Sequence, residues 1–444
     1  MPRSVCAGIV WPAFTDDAAA RMLALQYQFG QTQWWPAARL QELQLQQFAQ
    51  IFRHAVATVP FYQQRYARWA AAGIATWNRY RELPVSPRRE VQQAGAALHS
   101  TAVPAGHGPL VRTESSGSTG IPLVTLGTGW TQLVWHALLL RDHLWHGRDL
   151  RGKLAAIRSK TAEAHFPGWG PATAAFATGP SAVRSLSADL GEQLQWLARE
   201  NPDYFISYAT NVQALAARSL ELGLRLPGLK QVRTYGEMLR PEARGIVREA
   251  WGVDIVDSYS SEELGYIALQ CPACEQYHVQ AENLIVEVLD ESGVPCPPGA
   301  IGHVVVSTLH NFAMPLIRYA SGDYAEVAEP CACGRGLPAL RRIVGRQRNM
   351  LIRPDGVRHW PSFPSEAWRG IAPVAQIQLA QDAADHVSVR IVAPRDLSAE
   401  ERVRFIAALQ ECLGWPFRIS VERVAVIARS AGGKYEDFVS LLDS

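Results

Sequence analysis

The run Arg112-Thr-Glu-Ser-Ser-Gly-Ser-Thr-Gly-Ile-Pro-Leu-Val124 decides how the rest of the chain is read. Small hydroxyls alternate in it with glycines: Ser115, Ser116, Gly117, Ser118, Thr119 and Gly120. Glycine permits tight turns and close approach of the backbone to a ligand. Successive N–H groups in such a turn form an anion cradle, and hydroxyls add donors. The pattern suits nucleotide phosphates. It also suits a flexible loop, and it lacks the Gly-Lys-Ser/Thr of a Walker A loop. The motifs around it have to decide.

Outward from this run, the chain of 444 residues is too long for one core and implies two or three domains. It is 48% hydrophobic and 19% charged, an ordinary soluble composition, and its formal net charge of +2 argues against a general nucleic-acid surface. No signal peptide and no membrane-length apolar stretch is visible, which makes the cytoplasm the expected compartment and a membrane role unexpected. Seven Cys in a chain of this size do not suggest a secreted disulfide scaffold.

Upstream, residues 1–40 show no clean period. Leu45, Phe48, Phe52, Ala55 and Val59 recur at helical spacing until Pro60, and 40–100 reads as a helical cap. Downstream, Trp130–Leu150 reads as an apolar helix, Lys153–Ile157 as a buried strand and 161–182 as a long loop. Alternation of strand-like and helical segments follows: Asp203–Tyr208, Asn211–Leu222, Gln231–Tyr235, Pro241–Ala250 and Val253–Tyr259. This predicts a mostly parallel sheet with crossover helices, with ligands beyond its carboxyl strand ends. From 283 consecutive strands suggest a β-rich subdomain. The last 95 or so residues read as a small α+β domain, with a capping box at Ser398 and Glu401.

Four further constellations carry chemistry. Asp257-Ser-Tyr-Ser-Ser-Glu-Glu263 ends a strand, where a Tyr beside two carboxylates suits base stacking and a divalent cation; a solvated turn would look the same. Asp323 follows a Gly and could accept two ribose hydroxyls, or close an Asx turn. Cys271, Cys274 and His278, followed by Cys331 and Cys333, suit a tetrahedral structural zinc using any four of the five. Lys434 follows Gly432 and Gly433, where it could reach a phosphate or simply lie exposed.

Taken in order, these segments resemble the adenylate-forming superfamily, and most of all phenylacetate–CoA ligases and their capsule-biosynthesis-like relatives. The resemblance is carried by Val59-Pro-Phe-Tyr62, Glu114-Ser-Ser-Gly-Ser-Thr-Gly-Ile-Pro122, Tyr235-Gly-Glu-Met238, Tyr259-Ser-Ser-Glu-Glu263, Pro315-Leu-Ile-Arg-Tyr-Ala-Ser-Gly-Asp323, and Gly345-Arg346 with Asn349-Met-Leu-Ile352. It implies an α/β fold. A large N-terminal domain (1–345) would have mixed, mostly parallel sheets, helices and a β-rich subdomain. A hinge at 346–350 would join it to a small mobile α+β domain at 351–444.

The implied reaction joins ATP and a carboxylic acid, aromatic or otherwise compact, into an acyl-adenylate. A nucleophile then takes the acyl group: the CoA thiol first, an amine or a carrier protein as alternatives. A catalytically degenerate nucleotide-binding protein is the reading from another class, and a homodimer is allowed. Carried over by position, Ser115–Gly120 would cradle phosphates. Gly236 and Glu237 would border adenine, Tyr259 would stack on it with Ser260 alongside, and Glu263 would bind Mg²⁺. Asp323 would hold the ribose near Arg346, and Lys434 would reach the reacting carboxylate. The chain departs from the family pattern at Ile121 and Leu123, where the family loop often carries Lys, and at Ser260, Glu262 and Asn349.

Overall fold

The computed structural model describes residues 2, 4–114, 123–159, 161–363, 367–368, 370–429 and 435–442. The chain divides into two compact units, Met1–Ile343 and Val344–Ser444.

The first unit opens with helix Asp17–Thr32, whose N-cap Asp16 accepts the Ala19 N–H at 2.8 Å. Helix Ala37–Thr58 buries Leu40, Phe48, Ile51, Phe52 and Ala55 along one stripe. Pro60 begins helix Pro60–Arg65, where its missing N–H costs nothing. The strands of this unit, in chain order, are β1 (Ser86–Pro87), β2 (Leu110–Glu114), β3 (Val124–Thr128), β4 (Leu154–Arg158), β5 (Ala164–Phe166), β6 (Ser181–Ser185) and β7 (Tyr204–Ser207). They continue with β8 (Gln231–Tyr235), β9 (Asp254–Ser261), β10 (Gly265–Gln270), β11 (Tyr277–Val279), β12 (Leu284–Leu289), β13 (Ile301–Thr308) and β14 (Tyr319–Val327), and β15 (Ala339–Arg346) runs out of the unit.

One large sheet holds most of them. Strands β6, β4, β7, β8 and β9 lie side by side in parallel. The pairing turns antiparallel at β10 and continues through β11 to β15, and β14, β13 and β12 complete that side. Helices Leu190–Glu200, Ala209–Leu222 and Pro241–Trp251 cover one face of the parallel part, burying Trp196, Phe205, Leu215 and Val247. Helices Asp17–Thr32 and Gly129–Trp145 cover the other through Met22, Phe29, Leu138 and Ile206. The helical cap packs Phe48, Phe52, Tyr62 and Tyr80 against the antiparallel strands.

In the second unit β16 (Leu351–Ile352) pairs with β17 (Arg358–His359). A sheet of order β20 (Arg418–Arg423), β19 (His386–Val392), β18 (Gln376–Ala383) and β21 (Phe438–Ser440) packs on helix Ala399–Leu413. The capping box of that helix is present: the Ser398 hydroxyl accepts the Glu401 N–H, and the Glu401 carboxylate accepts the Ser398 N–H.

The fold is the mixed α/β arrangement expected, with two corrections. The stretch read as a loop from 161 to 182 contains β5, the edge strand of the sheet, and the start of β6, which lies between β5 and β4. The first 40 residues, read as aperiodic, contain helix Asp17–Thr32. No helix among the described residues is long and apolar enough to cross a membrane.

Candidate active site

Strand β8 ends at Tyr235, and the chain turns at Gly236 with φ of +74°, a conformation that favours glycine. Glu237 then meets the start of helix Ala209–Leu222. Thr210 donates its N–H at 3.0 Å and its hydroxyl at 2.7 Å to Glu237 Oε2. The carboxylate thus lies at a helix N-terminus, where the dipole favours negative charge. Beside it the Tyr208 and Tyr235 rings pack 4.9 Å apart, and Tyr208 Oη is 2.9 Å from Ser159 Oγ. Burial pushes the Tyr235 phenol up, against the opposing charge of Arg158.

On the next strand Tyr259 is buried, and its hydroxyl donates to Asp323 Oδ2 at 2.7 Å. Asp323 does not close a turn. It lies inside β14, after Gly322 with φ of +83°, and its N–H donates to Ser321 Oγ at 3.2 Å. Ser260 is half-buried and pairs in register with Tyr266 of β10.

Glu263 follows β9, and its side chain is 5% exposed. Arg88 Nη1 donates to Glu263 Oε1 at 2.7 Å, and Tyr319 Oη donates to the same oxygen at 3.2 Å. Burial opposes the charge on Arg88, but Glu263 and Tyr319 outweigh it and hold the guanidinium above its ordinary pKa. A cavity of about 80 Å³ opens here, with Thr113, Trp135, Glu262, Glu263 and His310 among its walls. Strands β2 and β3 pair antiparallel, with Glu114 opposite Val124. Ser115, Ser116, Gly117, Ser118, Thr119, Gly120 and Lys434 lie outside the described residues. Arg346 ends β15 and belongs to the second unit, where its carbonyl accepts Trp360 Nε1–H at 2.9 Å.

A second cluster gathers the sulfurs. Cys271 Sγ lies 3.7 Å and Cys274 Sγ 3.5 Å from Cys331 Sγ, and Cys333 Sγ lies 3.3 Å from His278 Nε2. The ligating atoms of Cys271, His278, Cys331 and Cys333 all fall within 4.8 Å of one another. Tetrahedral zinc with ligands at about 2.0–2.3 Å sets ligand atoms roughly 3.3–3.8 Å apart. Cys274 is exposed, a fifth donor at the rim. Burial, then the charge of Arg335, lowers His278 to about 4, so the imidazole is neutral as a metal ligand requires.

No protein-family model matches the chain. A phenylacetate–coenzyme A ligase of Pseudomonas putida is 24% identical over 361 residues, 76% of this chain and 76% of the relative. A phenylacetate–coenzyme A ligase of Thermus thermophilus is 36% identical over 121 residues, which span 26% of this chain and only 27% of the relative's length. These likenesses agree with the resemblance of the sequence motifs to phenylacetate–CoA ligases of the adenylate-forming superfamily. A solved 2-hydroxyisobutyryl-CoA ligase in its postadenylation state, in complex with 2-HIB-AMP, shares the fold. Its TM-score is 0.71 at 20% identity, over 93% of this chain and 91% of that one.

The sequence motifs missed Arg88, Thr210 and Tyr319, each of which touches a predicted site residue. Tyr319 sat inside the quoted Arg318–Asp323 motif and could have been found there. Arg88 lies 175 residues from Glu263 and carries no local signal.

Proposed function

We propose that the protein activates a small carboxylic acid, aromatic by the habit of its named relatives, with ATP and transfers the acyl group to the thiol of CoA. The observation that carries this is the convergence of Tyr259, Asp323 and Glu263 between β9 and β14, beside the β8 turn at Gly236 and Glu237.

In the first step an oxygen of the acid attacks the α-phosphorus of ATP, the bond to the β-phosphate oxygen breaks, and pyrophosphate leaves. In the second the thiolate sulfur attacks the acyl carbon, the bond to the phosphate oxygen breaks, and AMP leaves. Asp323 accepts the two ribose hydroxyls through a carboxylate that the Tyr259 hydroxyl holds in place. Tyr259, Ser260, Gly236 and Glu237 border the adenine. Ser115–Gly120 donate to the phosphates, and Lys434 reaches the reacting carboxylate and α-phosphate. The segment 346–350 serves as the hinge for residues 351–444, and Arg346 approaches the ribose side. Stabilising charge at the α-phosphate is the main catalytic demand, and fixed donors meet it electrostatically.

Glu263 fits a magnesium ligand: its carboxylate adjoins the Tyr319 hydroxyl, and Arg88 also reaches the Ser321 carbonyl, so hard oxygens cluster there. Magnesium would neutralise phosphate charge. Cys271, His278, Cys331 and Cys333 fit zinc. That ion would be structural, clasping the β10–β11 turn to the segment between β14 and β15.

Pyrophosphate release from ATP with a panel of aryl, arylacetic and short-chain acids, with and without CoA, tests the proposal. Release that turns over only with CoA is expected, and Lys434→Ala should abolish release while ATP still binds. Turnover that needs an amine or carrier protein instead would reassign the acceptor. Silence with every acid, unchanged by Lys434→Ala, would leave a nucleotide-binding protein.

A further inference from the structure

We propose that Arg88 is a built-in counter-ion for the metal carboxylate, so that Glu263 accepts a divalent cation only when nucleotide phosphates arrive with it. This rests on the reading of Glu263 as the magnesium ligand. The backbone places Arg88 with care. Ser86 and Pro87 form β1 and pair in parallel with Tyr319 and Ala320 of β14. Pro87 then caps the helix Arg88–Ala94, which makes Arg88 its first residue and sets it against the strand that carries Asp323. Arg88 Nη1 reaches Glu263 Oε1 at 2.7 Å and the Ser321 carbonyl at 3.5 Å, and it also donates to Tyr319 Oη. Its Cδ lies 3.8 Å from where a Cβ on Gly322 would stand. Both side chains are largely shielded from water, 14% and 5% exposed.

A pair this dry is already neutral, and breaking it leaves a charge without water. A divalent cation that approaches Glu263 alone would meet a fixed positive charge within a few ångströms, in a medium that screens poorly. The phosphates of ATP reverse that balance, because their negative charge compensates the metal and the guanidinium together. Metal binding at Glu263 thereby becomes conditional on nucleotide.

The test is Mn²⁺ titration of the zinc-replete full chain by electron paramagnetic resonance, with and without a non-hydrolysable ATP analogue. The wild-type protein should bind Mn²⁺ at least tenfold tighter with the analogue. Arg88→Met should tighten nucleotide-free Mn²⁺ binding at least tenfold, and adding Glu263→Gln should abolish the gain. Arg88→Lys keeps a cation and should stay weak. Mn²⁺ should raise the melting temperature of Arg88→Met and not of the wild type, a readout that works in a weakened variant. Equal Mn²⁺ affinity in wild type and Arg88→Met, or tight nucleotide-free binding by the wild type, overturns the proposal. If the wild type binds Mn²⁺ under neither condition, the metal reading of Glu263 fails, and this proposal with it.

Discussion

Asp323 makes its polar contacts in a buried setting: the Tyr259 hydroxyl occupies Oδ2, and Ser321 fixes its backbone. If the carboxylate accepts the ribose hydroxyls, Asp323→Asn removes two charge-assisted hydrogen bonds. Each is worth about 1.5–3 kcal/mol, about 3–6 kcal/mol for the two, so AMP affinity should fall about 10²- to 10⁴-fold by isothermal titration calorimetry. Tyr259→Phe keeps the carboxylate and should cost less. AMP affinity unchanged in Asp323→Asn would remove the ribose role. Cys331 is the sulfur that touches both Cys271 and Cys274. Cys331→Ser should therefore purify with well under the roughly one equivalent of zinc expected of the wild type by metal analysis. Equal metal content, or none in either protein, would sink the clasp.

Helix Gly129–Trp145 shows what the element scale adds. Its sequence reads as apolar with aromatics and His, yet its core contact is ionic. Asp142 is fully buried, with Arg148 Nη1 at 2.6 Å and Arg233 Nε at 2.9 Å on the same oxygen. Burial would raise the carboxyl, but the two guanidinium groups outweigh it and hold the pKa far below the usual carboxylate range. Asp142→Asn strands two buried cations and should cost about 3–5 kcal/mol in urea unfolding; a loss below 1 kcal/mol would mean that water reaches the cluster. No periodicity could reveal this, since Arg233 lies on strand β8, 91 residues away. The same limit explains what else was hidden. Strands with strong apolar runs, such as Leu284–Leu289, stand where the residues put them. β5 and β6 are too short to show an alternating pattern and form where β6 pairs with β4 and β5 pairs with β6. Tyr259 looked like a free strand-end ring because its partner Asp323 is 64 residues away.

At the scale of the molecule, the charge of +2 conceals several imidazoles that folding keeps neutral. Burial lowers His310 to about 4, and burial lowers His146 to about 4 against the opposing pull of Asp142. Both folded-state values lie below the unfolded value near 6.5. As pH falls through 6.5 the unfolded chain takes up protons that the folded chain refuses, so stability drops, and it keeps dropping until about pH 4. At pH 5 each residue accounts for about 2 kcal/mol, from 1.36 kcal/mol per pH unit over about 1.5 units. Asp142 adds nothing in this window, because a depressed carboxyl gives up its stabilisation only as pH falls below about 3.8. Unfolding in urea, followed by tryptophan fluorescence, should therefore show a clearly lower midpoint at pH 5.0 than at pH 7.5 for the Met1–Ile343 unit. His310→Asn should shrink the difference, since an amide does not titrate. Equal midpoints at the two pH values would mean that these imidazoles protonate without opening the fold.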